Sequence, residues 1–144
     1  LVTKGGDKVE INYPDSSAGK FVALYGFEEL FMSLPETIKH LLITNKSKED
    51  IALDVPESLG RFTNLEALLL QNIVKTLPES IGNLKNLNFV SLNKNKNLES
   101  LPESIADLPN LTFINLQDSN PNLNIPDRLR EKMNDEGNGF WYIE

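Results

Sequence analysis

Leu77-Pro78-Glu79-Ser80-Ile81 recurs letter for letter as Leu101-Pro102-Glu103-Ser104-Ile105, with close variants at Leu34-Pro35-Glu36-Thr37-Ile38 and Val55-Pro56-Glu57-Ser58-Leu59. A fifth, decayed copy reads Ile125-Pro126-Asp127-Arg128-Leu129. The five prolines lie 21, 22, 24 and 24 residues apart, a fixed period that stacked, quasi-one-dimensional units require and a single globular core does not. The repeat therefore points to an α/β solenoid. It leaves the chemistry open, because such units supply a surface on which function is placed.

Working outward from the proline boxes, a second motif of the form apolar-x-x-apolar-x-apolar precedes each return. It reads Ile38-x-x-Leu41-x-Ile43, Leu65-x-x-Leu68-x-Leu70, Leu87-x-x-Val90-x-Leu92 and Leu111-x-x-Ile114-x-Leu116. Its last apolar positions alternate with polar or exposed ones, the period of a short strand buried on one face. So short a strand is unstable alone, so the copies are expected to stack in parallel. On the way back, Ile81, Leu84 and Leu87, or Ile105, Leu108 and Leu111, recur every third residue, which suits a single helical or 3₁₀ turn. Proline fits the start of such a turn, and an acidic residue beside it favours a helix N-terminus.

These motifs resemble the leucine-rich repeat family, in particular its intracellular Ras-type group with Leu-Pro-x-x-Ile boxes; the short span from Pro35 to Ile43 is more similar to the Leu-Pro repeats of bacterial secreted effectors. The resemblance covers residues 21–129. It implies a right-handed arc of about five repeats, with a short parallel sheet on the concave face and short helical or 3₁₀ turns on the convex face. The family's asparagine, which bonds backbone groups of adjacent turns, is matched by Asn95 alone; Lys46, Ile73 and Ser119 stand at the equivalent positions. Repeat lengths slip as well, from 13 residues between Leu65 and Pro78 to 15 between Leu87 and Pro102. An irregular array is expected, with residues 46–53 as an insertion.

The flanks follow from the same template. Phe21-x-x-Leu24-x-Gly26 with Phe31, Leu34 and Pro35 reads as a degenerate first repeat, and Val9, Ile11 and Tyr13 as an alternating capping strand. Residues 14–19 read as a turn or loop. Residues 127–135 read as a short polar helix, Gly137-Asn138-Gly139 as a turn, and Phe140-Trp141-Tyr142-Ile143 as an apolar strand closing the open end. The expected division is an N-terminal cap over residues 1–20, repeats over 21–129 and a C-terminal cap over 130–144.

Composition narrows the setting. A chain of 144 residues with 40% hydrophobic content sustains one continuous core. It starts with Leu and shows no charged-then-apolar leader, as a processed product or excised piece would. No apolar run is long enough to span a bilayer. The absence of cysteine excludes disulfides and thiolate sites, and since extracellular members of the family commonly clamp their ends with cysteine, it favours an intracellular setting, with a secreted effector or viral origin as alternatives. The sequons Asn45-Lys46-Ser47 and Asn110-Leu111-Thr112 are expected by chance in an asparagine-rich repeat. A net charge of −7 with three arginines, Arg61, Arg128 and Arg130, opposes binding to nucleic acid or an anionic membrane.

No catalytic constellation is expected. The only histidine, His40, has no cysteine partner, no serine elbow and no metal-pair spacing around it; it reads as a solvent-facing sheet residue, or as a pH-sensitive contact. The carboxylates after the prolines, Glu36, Glu57, Glu79, Glu103 and Asp127, form a column that could bind calcium or do acid–base work; helix-start residues copied with the repeat are the simpler reading. No cofactor or metal is expected.

What remains is a surface. Between the buried ladder positions, four columns should face the concavity: His40, Ala67, Phe89 and Phe113; Leu42, Leu69, Ser91 and Asn115; Thr44, Gln71, Asn93 and Gln117; and Asn45, Asn72, Lys94 and Asp118. Phe89 and Phe113 should pair, with Leu69 and Leu42 extending an apolar strip beside an amide and hydroxyl column. Such a strip fits a protein or peptide partner, though the two rings could simply pack on each other. The expected function is a noncatalytic interaction module. Alternatives are a targeting or autoinhibitory segment of a larger effector enzyme, which the effector resemblance implies, and a structural or glycan-contacting surface protein.

Overall fold

A computed structural model describes residues 6–135 and 139–142. Gly137, Asn138 and Ile143, which the sequence places in a turn and a strand, lie outside the described residues. In chain order the elements are β1 (Lys8–Tyr13), α1 (Ser17–Tyr25), α2 (Glu28–Ser33), β2 (His40–Asn45), β3 (Leu53–Asp54), β4 (Ala67–Gln71), β5 (Val74–Thr76), β6 (Phe89–Ser91), β7 (Phe113–Asn115), α3 (Asp127–Lys132), β8 (Asn134–Asp135) and β9 (Phe140–Tyr142). Turns of 3₁₀ helix occupy Glu57–Arg61, Glu79–Asn83 and Glu103–Asp107, each begun by the proline of its box.

One sheet runs β1-β2-β4-β6-β7-β9-β8. Its first five strands are parallel and in register, so that Val9, Leu41, Leu68, Val90 and Ile114 form one row, continued by Trp141 on the antiparallel β9. Every member of that row is buried. Against it pack Leu59, Ile81, Ile105 and Leu129 from the turns and α3, and the core thus lies between the inner face of the sheet and the return segments. At the β1 end the filling is aromatic: Phe31 stacks on Phe27 at 5.3 Å and meets Phe62 edge-on at 5.6 Å.

The N-terminal flank differs from the sequence reading. Phe21 to Leu24 form no strand, because Ser16, in extended conformation, accepts the Gly19 N–H at 2.9 Å and starts α1 within the stretch read as a loop. A Cβ on Gly19 would sit 2.5 Å from the Asn12 carbonyl, so only glycine lets this helix lie on β1. The strand that opens the sheet is β1, which pairs with β2 as the later strands pair with each other. At the other end α3 stops at Lys132, and Asn134–Asp135 form β8 instead of continuing a helix to residue 135.

Successive boxes are stapled together by the residues that repeat. The Glu79 carboxylate accepts the backbone N–H groups of Glu103 and Ser104 at 3.2 and 3.1 Å, and Ser104 Oγ donates to the Glu79 carbonyl at 2.6 Å. One unit earlier, Glu57 accepts the Ser80 N–H and Ser80 Oγ donates to the Glu57 carbonyl. The serine also explains a glycine: a Cβ on Gly60 or Gly82 would meet Ser80 Cβ or Ser104 Cβ at 2.8 Å. At the equivalent Ala106 a methyl fits, and there the next box carries Arg128 in place of serine.

The return path contains more than turns. β3 and β5 form a two-stranded parallel ladder, and further along Ser100 bridges Asn124 of the next unit. Inside it Asn95, 2% exposed, accepts the N–H groups of Ile73 and Val74 and donates to the Leu70 and Leu92 carbonyls, all at 2.7–2.9 Å. Ser119 replaces part of that set, its Oγ donating to the Leu92 carbonyl.

Candidate interaction surface

Because side chains alternate along a strand, the register that buries one row turns the next outward. Lys8, His40, Ala67, Phe89, Phe113 and Tyr142 share one outward row, and Glu10, Leu42, Leu69, Ser91 and Asn115 the next. Thr44 and Gln71 begin a third; Asn93 and Gln117 continue it from the turns after β6 and β7, their carbonyls accepting the N–H groups of Asn72 and Lys94. The first three expected columns are therefore assembled side by side.

The Phe89 and Phe113 rings stack at 5.3 Å and 7° and remain half-buried. Ala67, the smallest residue of its row, leaves a depression of about 280 Å³ walled by Lys8, His40, Leu42, Leu69 and Phe89. Leu42 and Leu69 are half-buried too, as are Asn115, Gln117 and Asn93. Ser91 departs from expectation: it is 2% exposed and its hydroxyl donates to Asn93 Oδ1 at 3.0 Å, so it shapes the face from below.

The fourth column is a backbone feature. Asn45 is buried, donating to the Glu49 carbonyl and accepting from Ser47. The others, Asn72, Lys94 and Asp118, have φ of 58°, 65° and 56° and turn the chain out of each strand. These turns and the inserted loop enclose an open groove of about 930 Å³ lined by Ser47–Asp50, Asn72, Lys94, Lys96, Asn97, Asp118 and Ser119. The loop is tied down by Tyr13, whose hydroxyl donates to Glu49 at 2.6 Å, and by Asn97, which donates to Asp50 at 2.8 Å. The bond to the Glu49 carboxylate pushes the Tyr13 phenol above its ordinary value. Sequence reading missed this groove, since only the fold brings an insertion onto the distant turns at Asn72, Lys94 and Asp118.

Among the described residues no cluster of three or more His, Cys, Asp or Glu side chains is arranged to hold a metal. The Glu57 and Glu79 carboxylates point to backbone N–H groups of the following box. No described helix is long and apolar enough to cross a membrane.

No protein-family model matches the chain, and no curated protein does. Among solved structures it is similar to a leucine-rich repeat protein of Leptospira interrogans, at 30% identity and a TM-score of 0.53 over 65% of this chain. The chain spans 23% of the length of that protein. The likeness supports a leucine-rich repeat family.

Proposed function

With that likeness as the starting point, we propose that this chain is a noncatalytic interaction module that binds a protein or peptide through the outward face of its sheet. The parallel strands β1, β2, β4, β6 and β7 are read as the concave side of a solenoid of about five units, with the segment around β8 and β9 as its C-terminal cap. The reading rests on one observation above all: a stacked, half-buried Phe89–Phe113 pair is continuous with Leu69 and Leu42 and bordered by Asn115, Gln117, Asn93, Gln71 and Thr44. Apolar anchors beside adaptable hydrogen-bonding groups are what interface hot spots are made of. The acidity of the chain argues against nucleic acid as the ligand, and the lack of cysteine favours an intracellular setting.

A Phe89→Ala/Phe113→Ala variant tests the assignment. It should cost about 1–2 kcal/mol of stability and lose a partner that the unaltered chain captures from its native source, as identified by mass spectrometry. A stability loss of about 3–5 kcal/mol would place the rings in the core. Identical captures by both chains would move recognition off this face.

A further inference from the structure

From β2 to β9 the first outward row of the sheet is aromatic at every position but one: His40, Ala67, Phe89, Phe113 and Tyr142 stand side by side in register. Phe89 and Phe113 show how such a row packs, with rings 5.3 Å apart and nearly parallel, close to the ~4.8 Å that separates neighbouring strands. Phe113 covers one face of the Phe89 ring, so the other face is turned toward β4. There Ala67 contributes a methyl in place of a ring, and Phe89 and His40 wall the depression of about 280 Å³ from its two sides. The residues lining it are half-buried, so the gap opens to solvent.

The spacing of the walls says what fits between them. β2 and β6 flank β4, so His40 and Phe89 stand two strand spacings apart, about 9–10 Å. A ring set midway lies about 5 Å from each, within the roughly 4.5–7 Å that aromatic pairs favour. Leu42 and Leu69 close the slot along the strands and offer aliphatic carbon to the edge of an inserted ring. Lys8 and His40 line it and no described carboxylate does, which disfavours a lysine or arginine side chain as occupant and suits the negative face of a π-system.

We propose that the slot over Ala67 takes one aromatic side chain of a partner peptide, seated between His40 and Phe89 as the missing member of the row. This rests on the reading of the outward face as the binding surface and names the anchor that the face recognises. In NMR titration of the full chain, N-acetylphenylalaninamide should shift the Ala67 methyl upfield and saturably, with a Kd of about 1–10 mM, the range for burying a single ring. N-acetylleucinamide should bind at least about threefold more weakly, the share that stacking adds. Ala67→Phe, which fills the slot from below, should abolish probe binding, and an unfolding midpoint no lower than that of the unaltered chain shows that it is folded. His40→Ala, which removes one wall, should weaken the probe about threefold. The absence of a saturable shift up to about 50 mM overturns the proposal. So does equal binding of the leucine probe, or binding that survives Ala67→Phe or, should that variant not fold, ignores His40→Ala. A partner captured from the native source should be lost by Ala67→Phe. If it is kept, the slot is overturned, and its loss from the Phe89→Ala/Phe113→Ala variant then shows that the outward face stands without the slot.

Discussion

From β4 to β7 each unit is held by the side chains of the next, whereas from β1 to β2 a helix does that work. In the first region Glu79 and Ser104, Asn95 and Ile73, and Asn110 and the Lys85 carbonyl bond across 22–25 residues of sequence. In the second, Ser16 caps a helix locally and Gly19 settles it on the Asn12 backbone. The regular region spends its polar side chains on its own backbone and exposes few large apolar groups. The helical region satisfies its backbone internally and is left with an apolar outer face. Repetition thus ties each unit to the next through its polar side chains, and at the β1 end, where it is lost, large apolar side chains stay exposed.

The largest break of this comparison should come from Asn95→Ala, which strands two buried N–H groups and takes a donor from the Leu70 and Leu92 carbonyls, the second of which keeps Ser119 Oγ. A loss of about 3–4 kcal/mol in urea unfolding is expected, because unsatisfied buried groups cost their full desolvation. Asn45→Ala, at the other region's buried asparagine, removes bonds that organise a local loop. About 1–2 kcal/mol is expected there. Equal losses would show that both asparagines do the same work.

Glycine separates the regions in a different way. Gly82 has no room, with Ser104 Cβ 2.8 Å from a built Cβ, whereas Gly26 has open space but φ of 88° and ψ of −172°. Both alanine variants should lose about 1–3 kcal/mol, one from overpacking and one from backbone strain. Ser104→Gly should recover part of the loss in Gly82→Ala, and no neighbouring substitution should recover Gly26→Ala. Additive behaviour of Gly82→Ala and Ser104→Gly would break the packing account.

Much of the regular region could be read from its letters. The strands β2, β4, β6 and β7 and the facing of Phe89 on Phe113 follow from a two-residue alternation fixed to a repeated box. The Phe21-x-x-Leu24-x-Gly26 stretch misled because a two-sided apolar helix and a decayed repeat share the same spacing; the discriminating letter was Ser16, an N-cap three residues before the glycine that packs on β1. The column of carboxylates was legible as helix starts at Glu57, Glu79, Glu103 and Asp127, whereas Glu36 lies in a turn, and the reach of Glu57 and Glu79 to the next unit's N–H groups depends on stacking distance. Ser91 was misplaced for a similar reason, since alternation assigns a face and says nothing about what covers it. The β3–β5 ladder repeats in position without a common letter, Asp54, Thr76, Ser100 and Asn124 each standing two residues before a proline, and the groove beneath the insertion carries no period at all.

The smallest effect concerns the three turns that leave the strands with positive φ. Asn72 and Asp118 are residue types that tolerate this conformation, and Lys94 between them, at 65°, is not. Its backbone N–H donates to the Gln117 carbonyl at 2.8 Å and its side chain is exposed, so Lys94→Asn keeps the hydrogen bond and relieves the strain. A gain of about 0.5 kcal/mol is expected in urea unfolding, and Asp118→Ala should lose a similar amount by the same argument. If Lys94→Asn instead destabilises, the lysine contributes through its charge at the groove it shares with Glu49, Asp50 and Asp118. The irregular loop would then be coupled to the regular array through that groove, and raised salt should shrink the loss.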